Sequence, residues 1–315
     1  MTDQALSSQG HTSEGRSSQE RISQGCGSNR YLLDRFKGVP TSDGAGVKLT
    51  RIIGSPQLNI LDPFLLLDCF ESDQSEDYIA GFPEHPHRGF ETVTYLLNGR
   101  MRHKDSAGHE GVVEPGGVQW MTAGKGILHS EMPEQEEGLL KGFQLWVNLP
   151  ASAKMTKPAY QEFPPESTPL EHREDGSVIR VISGQTDRGI IGAVRNDYIN
   201  PTYMDICLPA DTSFLQTLPE NHNAFVYVIE GELRIERKTQ NKVSDEINGS
   251  CVLTGELGVL SKGQRLTITS GPTGVRFLLL AGLPLNEPVV RAGPFVMNTR
   301  TEILQAFEDF NHGKF

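Results

Sequence analysis

The chain has 315 residues, and its 40 acidic side chains outnumber its 29 basic ones, which gives a formal net charge of −11. This excess of acid argues against a nucleic-acid-binding surface, because proteins that bind phosphate backbones usually carry a basic footprint. The hydrophobic fraction is 37%, and no apolar run reaches the roughly 18 residues of a membrane span, so a protein with a sizeable core and no membrane segment is expected.

The N-terminal stretch differs in composition from the rest of the chain. Residues 1–30 are rich in Ser, Gly and Gln and contain few large aliphatic side chains, so they cannot repay the entropy of ordering. We predict a disordered tail. The tail lacks the apolar core of a secretory signal, and the cysteines form no CxxC pair, so a monomer in the reducing cytoplasm is expected.

After residue 30 the sequence consists of short apolar runs separated by turn-forming residues. These runs predict β-strands at residues 92–97, 118–121, 143–147, 178–182, 203–208, 225–229 and 275–280. The one clear helix comes at the end, where Thr299 and Glu302 form a capping box. Ile303, Phe307 and Phe310 follow at helical spacing and predict an apolar stripe that packs on a sheet.

Two segments resemble each other at an offset of 132 residues: VTYLLNGRMR at 93–102 and FVYVIEGELR at 225–234. Each predicts a β-hairpin that turns at a glycine, Gly99 or Gly231. A repeat of this length indicates a duplicated all-β domain, with chance similarity of two hairpins as the alternative. The Pro-rich stretch around 158–169 is the natural boundary, so the predicted domains are 31–165 and 166–315.

One group of side chains has the types and spacing of a metal site. His85 and His87 form one pair, and His129 and Glu131 form another. Residues i and i+2 of an extended chain face the same side, so two such segments on opposite walls of a small barrel bring three imidazoles and a carboxylate together. This donor set suits divalent iron, manganese, nickel or copper.

Other interpretations of these residues stay open at this point. Glu91 has the same strand parity as His85 and His87, so it supplies the carboxylate instead of Glu131 if the strand contains no bulge. A closed tetrahedral zinc site is a further alternative, which is disfavoured because no cysteine lies near. Among the other histidines, His103 and His109 are expected in a solvated loop and His222 on the surface.

The second half of the chain lacks these metal-binding side chains. The offset of 132 residues places Thr217, Pro219 and Asn223 at the positions of His85, His87 and Glu91. One metal site per chain is therefore expected, in the first domain.

Several long motifs closely resemble the pirin family, a branch of the cupin superfamily. They are LDPF at 61–64, GFPEHPHRGFETV at 81–93, QWMTAGKGILHSEMP at 119–133, QLWVNL at 144–149 and GPFVMNT at 293–299. The resemblance implies a bicupin, in which two tandem cupin β-barrels pack together and only the N-terminal one binds metal. It places the family's ligands on His85, His87, His129 and Glu131, and so favours Glu131 over Glu91.

The resemblance also implies a cofactor and an activity. The family's usual metal is Fe²⁺, with Mn, Ni, Cu and Zn as alternatives. Some members are described as quercetin 2,3-dioxygenases, which open a flavonol ring with O₂ and release carbon monoxide. We therefore predict a quercetinase-type dioxygenase with a small aromatic substrate such as a flavonol. In this prediction Glu131 is the catalytic proton acceptor.

The alternative function implied by the family is an iron-dependent, redox-sensing regulator that binds a transcription factor or a metabolic enzyme. A metal that only stabilises the barrel is a third possibility. Beside the ligands, Arg88 is expected either to tune the site or to form an outward-facing salt bridge. Aromatic residues near the motifs are expected in the cavity wall or in the barrel core: Phe64, Phe90, Trp120 and Trp146.

Overall fold

The computed structural model describes residues 27–235 and 251–315. The described part consists of antiparallel sheets with a single C-terminal α-helix, three short 3₁₀ turns, and two cupin barrels, so the predicted all-β bicupin is confirmed. Most of the predicted tail, residues 1–26, lies outside the described residues. None of the helices in the described part has the length and apolar character needed to span a membrane.

The first barrel is built from a seven-stranded and a four-stranded sheet. The larger sheet contains, in spatial order, β12 (Ala159–Phe163), β9 (Val118–Thr122), β6 (Phe90–Asn98), β11 (Leu140–Asn148), β4 (Phe64–Ser72), β3 (Val47–Ile53) and β2 (Val39–Asp43). The smaller sheet contains β5 (Phe82–His87), β10 (Ile127–Pro133), β7 (Met101–Asp105) and β8 (Glu110–Val113).

The second barrel is built from one nine-stranded sheet. Its spatial order is β1 (Leu32–Lys37), β19 (Glu256–Leu260), β17 (Asn223–Ile235), β20 (Arg265–Gly282), β15 (Thr202–Leu208), β14 (Val178–Ser183) and β13 (Leu170–His172), with β16 (Ser213–Thr217) on β20 and β18 (Cys251–Leu253) on β17. Its interior is a packed apolar cluster that includes Phe214 and Phe277. All seven predicted strands are confirmed across the two barrels.

The two similar segments adopt related conformations, but the predicted hairpins are wrong. Gly99 and Gly231 both have positive φ angles, 81° and 80°. In the first barrel the chain passes at Gly99 from β6 to β7, which belong to different sheets. In the second barrel β17 continues through Gly231 as one strand with irregular register. A glycine with positive φ therefore bends the strand at a barrel corner instead of reversing it.

The two barrels share a continuous apolar core between them. Buried apolar residues of β6 and β11 pack against residues of β15, β17 and β20. Aromatic edge-to-face contacts cross the boundary, with ring centroids 5.2 Å apart for Phe64 and Phe225 and 5.5 Å apart for Phe143 and Tyr227. Such pairs stabilise the interface beyond the burial of their area.

The ends of the chain cross over between the barrels. Near the N-terminus, β1 pairs with β19, and the buried Arg30 donates hydrogen bonds to the carbonyls of Ser261 and Pro219. Residues 290–315, here called the C-terminal arm, return to the first barrel. The arm contains β21 (Val290–Ala292), β22 (Phe295–Met297) and α1 (Arg300–Asn311). Each barrel thus contains a segment from the far end of the chain.

The helix α1 forms as the sequence predicts. The Thr299 hydroxyl accepts from the Glu302 backbone N–H, and the Glu302 carboxylate accepts from the Thr299 backbone N–H, so the capping box is confirmed. Ile303 is buried, and the ring of Phe307 lies 4.9 Å from that of Phe295 on β22. The apolar stripe therefore packs on a strand, as expected.

Candidate metal centre

Three histidines converge inside the first barrel, on the paired strands β5 and β10. His85 and His129 are direct partners in the antiparallel register. The Nε2 atom of His85 lies 3.0 Å from Nε2 of His87 and 3.1 Å from Nε2 of His129. The ligand atoms of the three side chains all lie within 4.8 Å of one another. The structure therefore brings together the three predicted histidine ligands.

The protonation of the cluster suits a cation. Nδ1 of His85 lies 2.8 Å from the carbonyl oxygen of Pro83. A carbonyl only accepts, so Nδ1 carries the proton and Nε2 presents a lone pair to the centre. Burial, followed by the neighbouring histidines, lowers the pKa of His87 and of His129 well below the usual value. Neutral imidazoles are the form that binds metal, so the residues fit a divalent ion.

The donor set contains no thiolate. No cysteine joins the group within residues 27–235 and 251–315. Structural zinc sites usually include cysteine, so this donor set disfavours a closed tetrahedral zinc site.

Glu131 lies next to the cluster and is held in place by two side chains. It follows His129 on β10, is buried, and lines the same cavity as His85 and His87. The Thr94 hydroxyl donates to its Oε1 at 2.7 Å, and the Gln144 amide donates to its Oε2 at 2.9 Å. Glu131 is not part of the group within 4.8 Å, so its role as a fourth ligand stays a prediction.

Glu91, the competing carboxylate, faces the opposite side of its sheet. Its Oε1 accepts a hydrogen bond from the Thr122 hydroxyl at 2.7 Å. Its Oε2 accepts from the Asn196 amide of the second barrel at 2.6 Å. Glu91 therefore belongs to the boundary between the barrels and not to the metal centre.

The parity argument for Glu91 fails because the strand is interrupted. The strand β5 ends at His87, and β6 begins at Phe90. Between them Gly89 has a φ of 88°, a conformation that bends the chain and resets which face each side chain occupies. The assignment of Glu91 as a ligand required an unbroken strand, and the interruption at Gly89 therefore rules it out.

The burial of Glu91 predicts that the stability of the protein depends on pH. Burial raises its pKa from 4.5 to about 7, so the folded protein retains this proton over a range where the unfolded chain loses it. Its stabilising contribution is therefore complete below pH 4.5 and is lost as the pH rises through about 7. We expect the unfolding free energy of the wild type, relative to Glu91→Gln, to fall by about 2.5 kcal/mol from about pH 5 to about pH 8. Urea titrations of both proteins across this range measure the difference, and parallel pH profiles would contradict it.

A cavity of about 550 Å³ leads from solvent to the histidines. Its walls are largely apolar and are formed in part by Leu49, Leu66, Phe70, Phe82 and Trp146. The volume lies in the range of small-molecule sites. Of the four aromatic residues expected near the site, Trp146 lines the cavity and Phe90 contacts His87, whereas Phe64 and Trp120 lie in the core between the barrels.

The C-terminal arm completes one side of this cavity. Arg291, Gly293 and Pro294 all line it. Arg88, next to His87, anchors the arm through a salt bridge at 2.8 Å to Asp309. The expected salt bridge of Arg88 is therefore present, but Arg88 itself is buried and does not line the cavity.

Two of the other histidines are not where the sequence suggested. His103 and His222 are buried, at 2% and 3% exposure, so the solvated loop expected for His103 and the surface position expected for His222 are both wrong. His103 faces the barrel interior from β7, and its Nε2 lies 3.0 Å from a carboxylate oxygen of Glu162. His109 is exposed, as expected.

Comparison with known families agrees with the two-barrel fold. The family description "Pirin" matches residues 46–147, and "Pirin C-terminal cupin domain" matches residues 203–315. The chain belongs to the pirin family. Its similarity to a pirin-like protein of Caulobacter vibrioides is 51% identity over 91% of this chain and 99% of that protein.

Two other pirin relatives carry the name of an enzyme. A Pseudomonas aeruginosa protein, provisionally named a quercetin 2,3-dioxygenase, is 48% identical over 90% of this chain and 97% of its own length. The crystal structure of a quercetin 2,3-dioxygenase from Acinetobacter baumannii superposes with a TM-score of 0.80 at 34% identity. That match covers 91% of this chain and 99% of the other. These similarities and the His cluster show a metal-binding protein of the pirin and quercetinase kind.

Sequence reasoning missed three side chains of the pirin site: Thr94, Gln144 and Arg291. Thr94 and Gln144 are direct partners on β6 and β11 and hold Glu131. Thr94 and Gln144 alternate in sequence with apolar residues that face the other side of the sheet, and this pattern could have identified them. No sequence pattern marks Arg291, because it reaches the cavity from a distant part of the chain.

Proposed function

We propose that this protein is a metal-dependent dioxygenase of the quercetin 2,3-dioxygenase type, which opens the ring of a flavonol with O₂ and releases carbon monoxide. The observation that carries the proposal is the convergence of three histidine Nε2 atoms at the end of an apolar cavity that opens to solvent. The names of the Pseudomonas and Acinetobacter relatives support it. The proposed ligand set is His85, His87, His129 and Glu131, and the proposed metal is Fe²⁺.

The cavity explains how the chain would bind a flat aromatic molecule. Phe70 and Phe82 offer aromatic surface, and Leu49 and Leu66 add aliphatic area beside them. Burial of flat rings against such walls excludes water from the reacting end of the substrate. When bound, a divalent iron would supply Lewis acidity towards the substrate oxygens and an exchangeable electron for O₂.

Glu131 is the proton acceptor in this proposal. A flavonol must lose the proton of its 3-hydroxyl group to become the electron-rich form that reacts with O₂. The Glu131 carboxylate lines the cavity, and Thr94 and Gln144 each hold one of its oxygens. These two hydrogen bonds fix the orientation of the carboxylate, while each oxygen keeps a further lone pair that can accept the proton.

Turnover of quercetin tests both the activity and the role of Glu131. We expect iron-loaded wild type to consume quercetin in air, and Glu131→Gln at saturating metal to be roughly 100-fold slower or worse, because the amide cannot accept the proton. Loss of flavonol absorbance and release of carbon monoxide are the measurements. Glu110→Gln is the matched control, since Glu110 is an exposed carboxylate on β8. No turnover by fully loaded wild type would refute the activity, and a near-normal rate of Glu131→Gln would refute the role.

Other expectations stay predictions. They are a monomeric state, a cytoplasmic location, and a redox-dependent protein partner as the alternative to catalysis. Pull-downs with ferrous and ferric protein that recover different partners would support the alternative.

A further inference from the structure

One cationic side chain lines the cavity, and within the described residues it makes no salt bridge. Arg291 on β21 reaches the cavity, and its guanidinium lies over the Trp146 ring at 4.4 Å from the centroid. Within residues 27–235 and 251–315 its side chain takes part in no salt bridge and no side-chain hydrogen bond. A guanidinium stacked in this way keeps its N–H donors in the ring plane, where an incoming group can accept them.

The neighbouring carboxylates are hydrogen-bonded to another arginine. Arg51 contacts Asp68 through two hydrogen bonds of 2.9 Å and 2.7 Å and contacts Asp43 at 2.7 Å. Both carboxylates line the cavity, and both accept hydrogen bonds from Arg51. Partial burial and then the nearby Arg51 lower the pKa of Arg291, while Asp68 and Asp43 act in the opposite direction. Arg291 still stays charged at neutral pH.

Trp146 links this cation to the metal centre. The Trp146 ring lies 5.2 Å from the His87 ring, and the Arg291 guanidinium covers one of its faces. A flat molecule in the cavity can therefore approach the histidines with one end while its other end stays near the guanidinium. The cavity then offers two polar ends, a metal-binding end and a cationic end, separated by apolar wall.

We infer that Arg291 is a specificity-determining residue that binds an anionic oxygen group of the substrate, at the end remote from the metal centre. The preferred substrate class is an aromatic hydroxy-ketone that carries a carboxylate, or an equally acidic oxygen, on its distal ring. The guanidinium suits this group because it can donate two parallel hydrogen bonds to a carboxylate. The inference rests on the proposed function for the metal-binding end of the ligand.

Two probes that differ only at the distal ring test the inference. They are 3-hydroxyflavone and 3-hydroxyflavone-4′-carboxylate, titrated calorimetrically into iron-loaded, full-length protein without oxygen. We expect the wild type to prefer the carboxylate by roughly tenfold, as for a hydrogen bond to a charged group. Arg291→Gln should abolish that preference while changing the affinity for the neutral probe less than about twofold, and Arg291→Lys should retain part of it.

A second variant separates a local contact from a general change of charge. Arg300→Gln removes the same charge from an exposed position at the start of α1 and should leave the preference intact. Equal weakening of both probes in Arg291→Gln, or an unchanged preference, would overturn the inference. If the wild type prefers the carboxylate through Arg291 but turns over neither probe in air, the dioxygenase proposal fails and the charge selection stands.

Discussion

Replacing His129 by alanine is expected to abolish stoichiometric metal binding and to reduce quercetin turnover by roughly 100-fold or more. The reason is geometric, because the Nε2 of His129 is one of the three that converge, and the two remaining nitrogens come from neighbouring residues of one strand. Element analysis of protein purified without added metal is the measurement. The wild type is expected to carry close to one iron per chain, and the variant almost none.

A matched histidine provides the control for this experiment. His109 is exposed and lies outside the cavity lining, so His109→Ala should keep both the metal and the activity of the wild type. Full metal content in His129→Ala would show that the histidine cluster is not the binding site. Stoichiometric zinc without iron in the wild type would instead favour a metal that only stabilises the barrel.

Replacing Lys154 by methionine is expected to lower the free energy of unfolding by about 3 kcal/mol. The buried Lys154 ammonium donates to the carbonyls of Gly89 and Val296 at 2.8 Å and 3.0 Å and to the Asn148 side chain at 2.7 Å. Methionine fills a similar volume and leaves all three acceptors without this donor. Burial also lowers the pKa of Lys154 to about 8, because burying its charge costs free energy. Methionine avoids this cost, which offsets part of the stability lost with the three hydrogen bonds.

Urea unfolding at neutral pH measures the effect of Lys154. Lys157→Met is the matched control, because Lys157 is exposed three residues away, and a change below about 0.5 kcal/mol is expected for it. A similarly small change in Lys154→Met would mean that water or backbone shifts satisfy the three acceptors. Val296 belongs to the C-terminal arm and Gly89 follows the histidine pair, so the variant should also lose protection of the arm against proteolysis.

The parts of the fold that local pattern specifies were predictable. Each predicted strand is an apolar run with its own turn residues, and the helix carries its complete cap at Thr299 and Glu302. The alternation of His85 and His87 on an extended segment was enough to predict that they share a face. These features depend on neighbours in sequence, so a single chain is sufficient to find them.

The parts that depend on distant contacts were not predictable. Whether Gly99 reverses the chain or bends it depends on which sheet receives the next strand. The exclusion of Glu91 depended on the backbone conformation of Gly89, which the residue type permits but does not require. The burial of His103 follows from its pairing opposite Glu131 on β10, a long-range contact.

The crossing of the chain ends sets an order for assembly during synthesis. When the ribosome has released the first barrel, the three histidines are present, but the cavity still lacks the side formed by Arg291, Gly293 and Pro294. The second barrel likewise uses β1, which precedes the first barrel in the chain, as the partner of β19. Each barrel therefore waits for a segment from beyond the other, and the wall beside the metal centre is complete only once residues 290–294 have been synthesised.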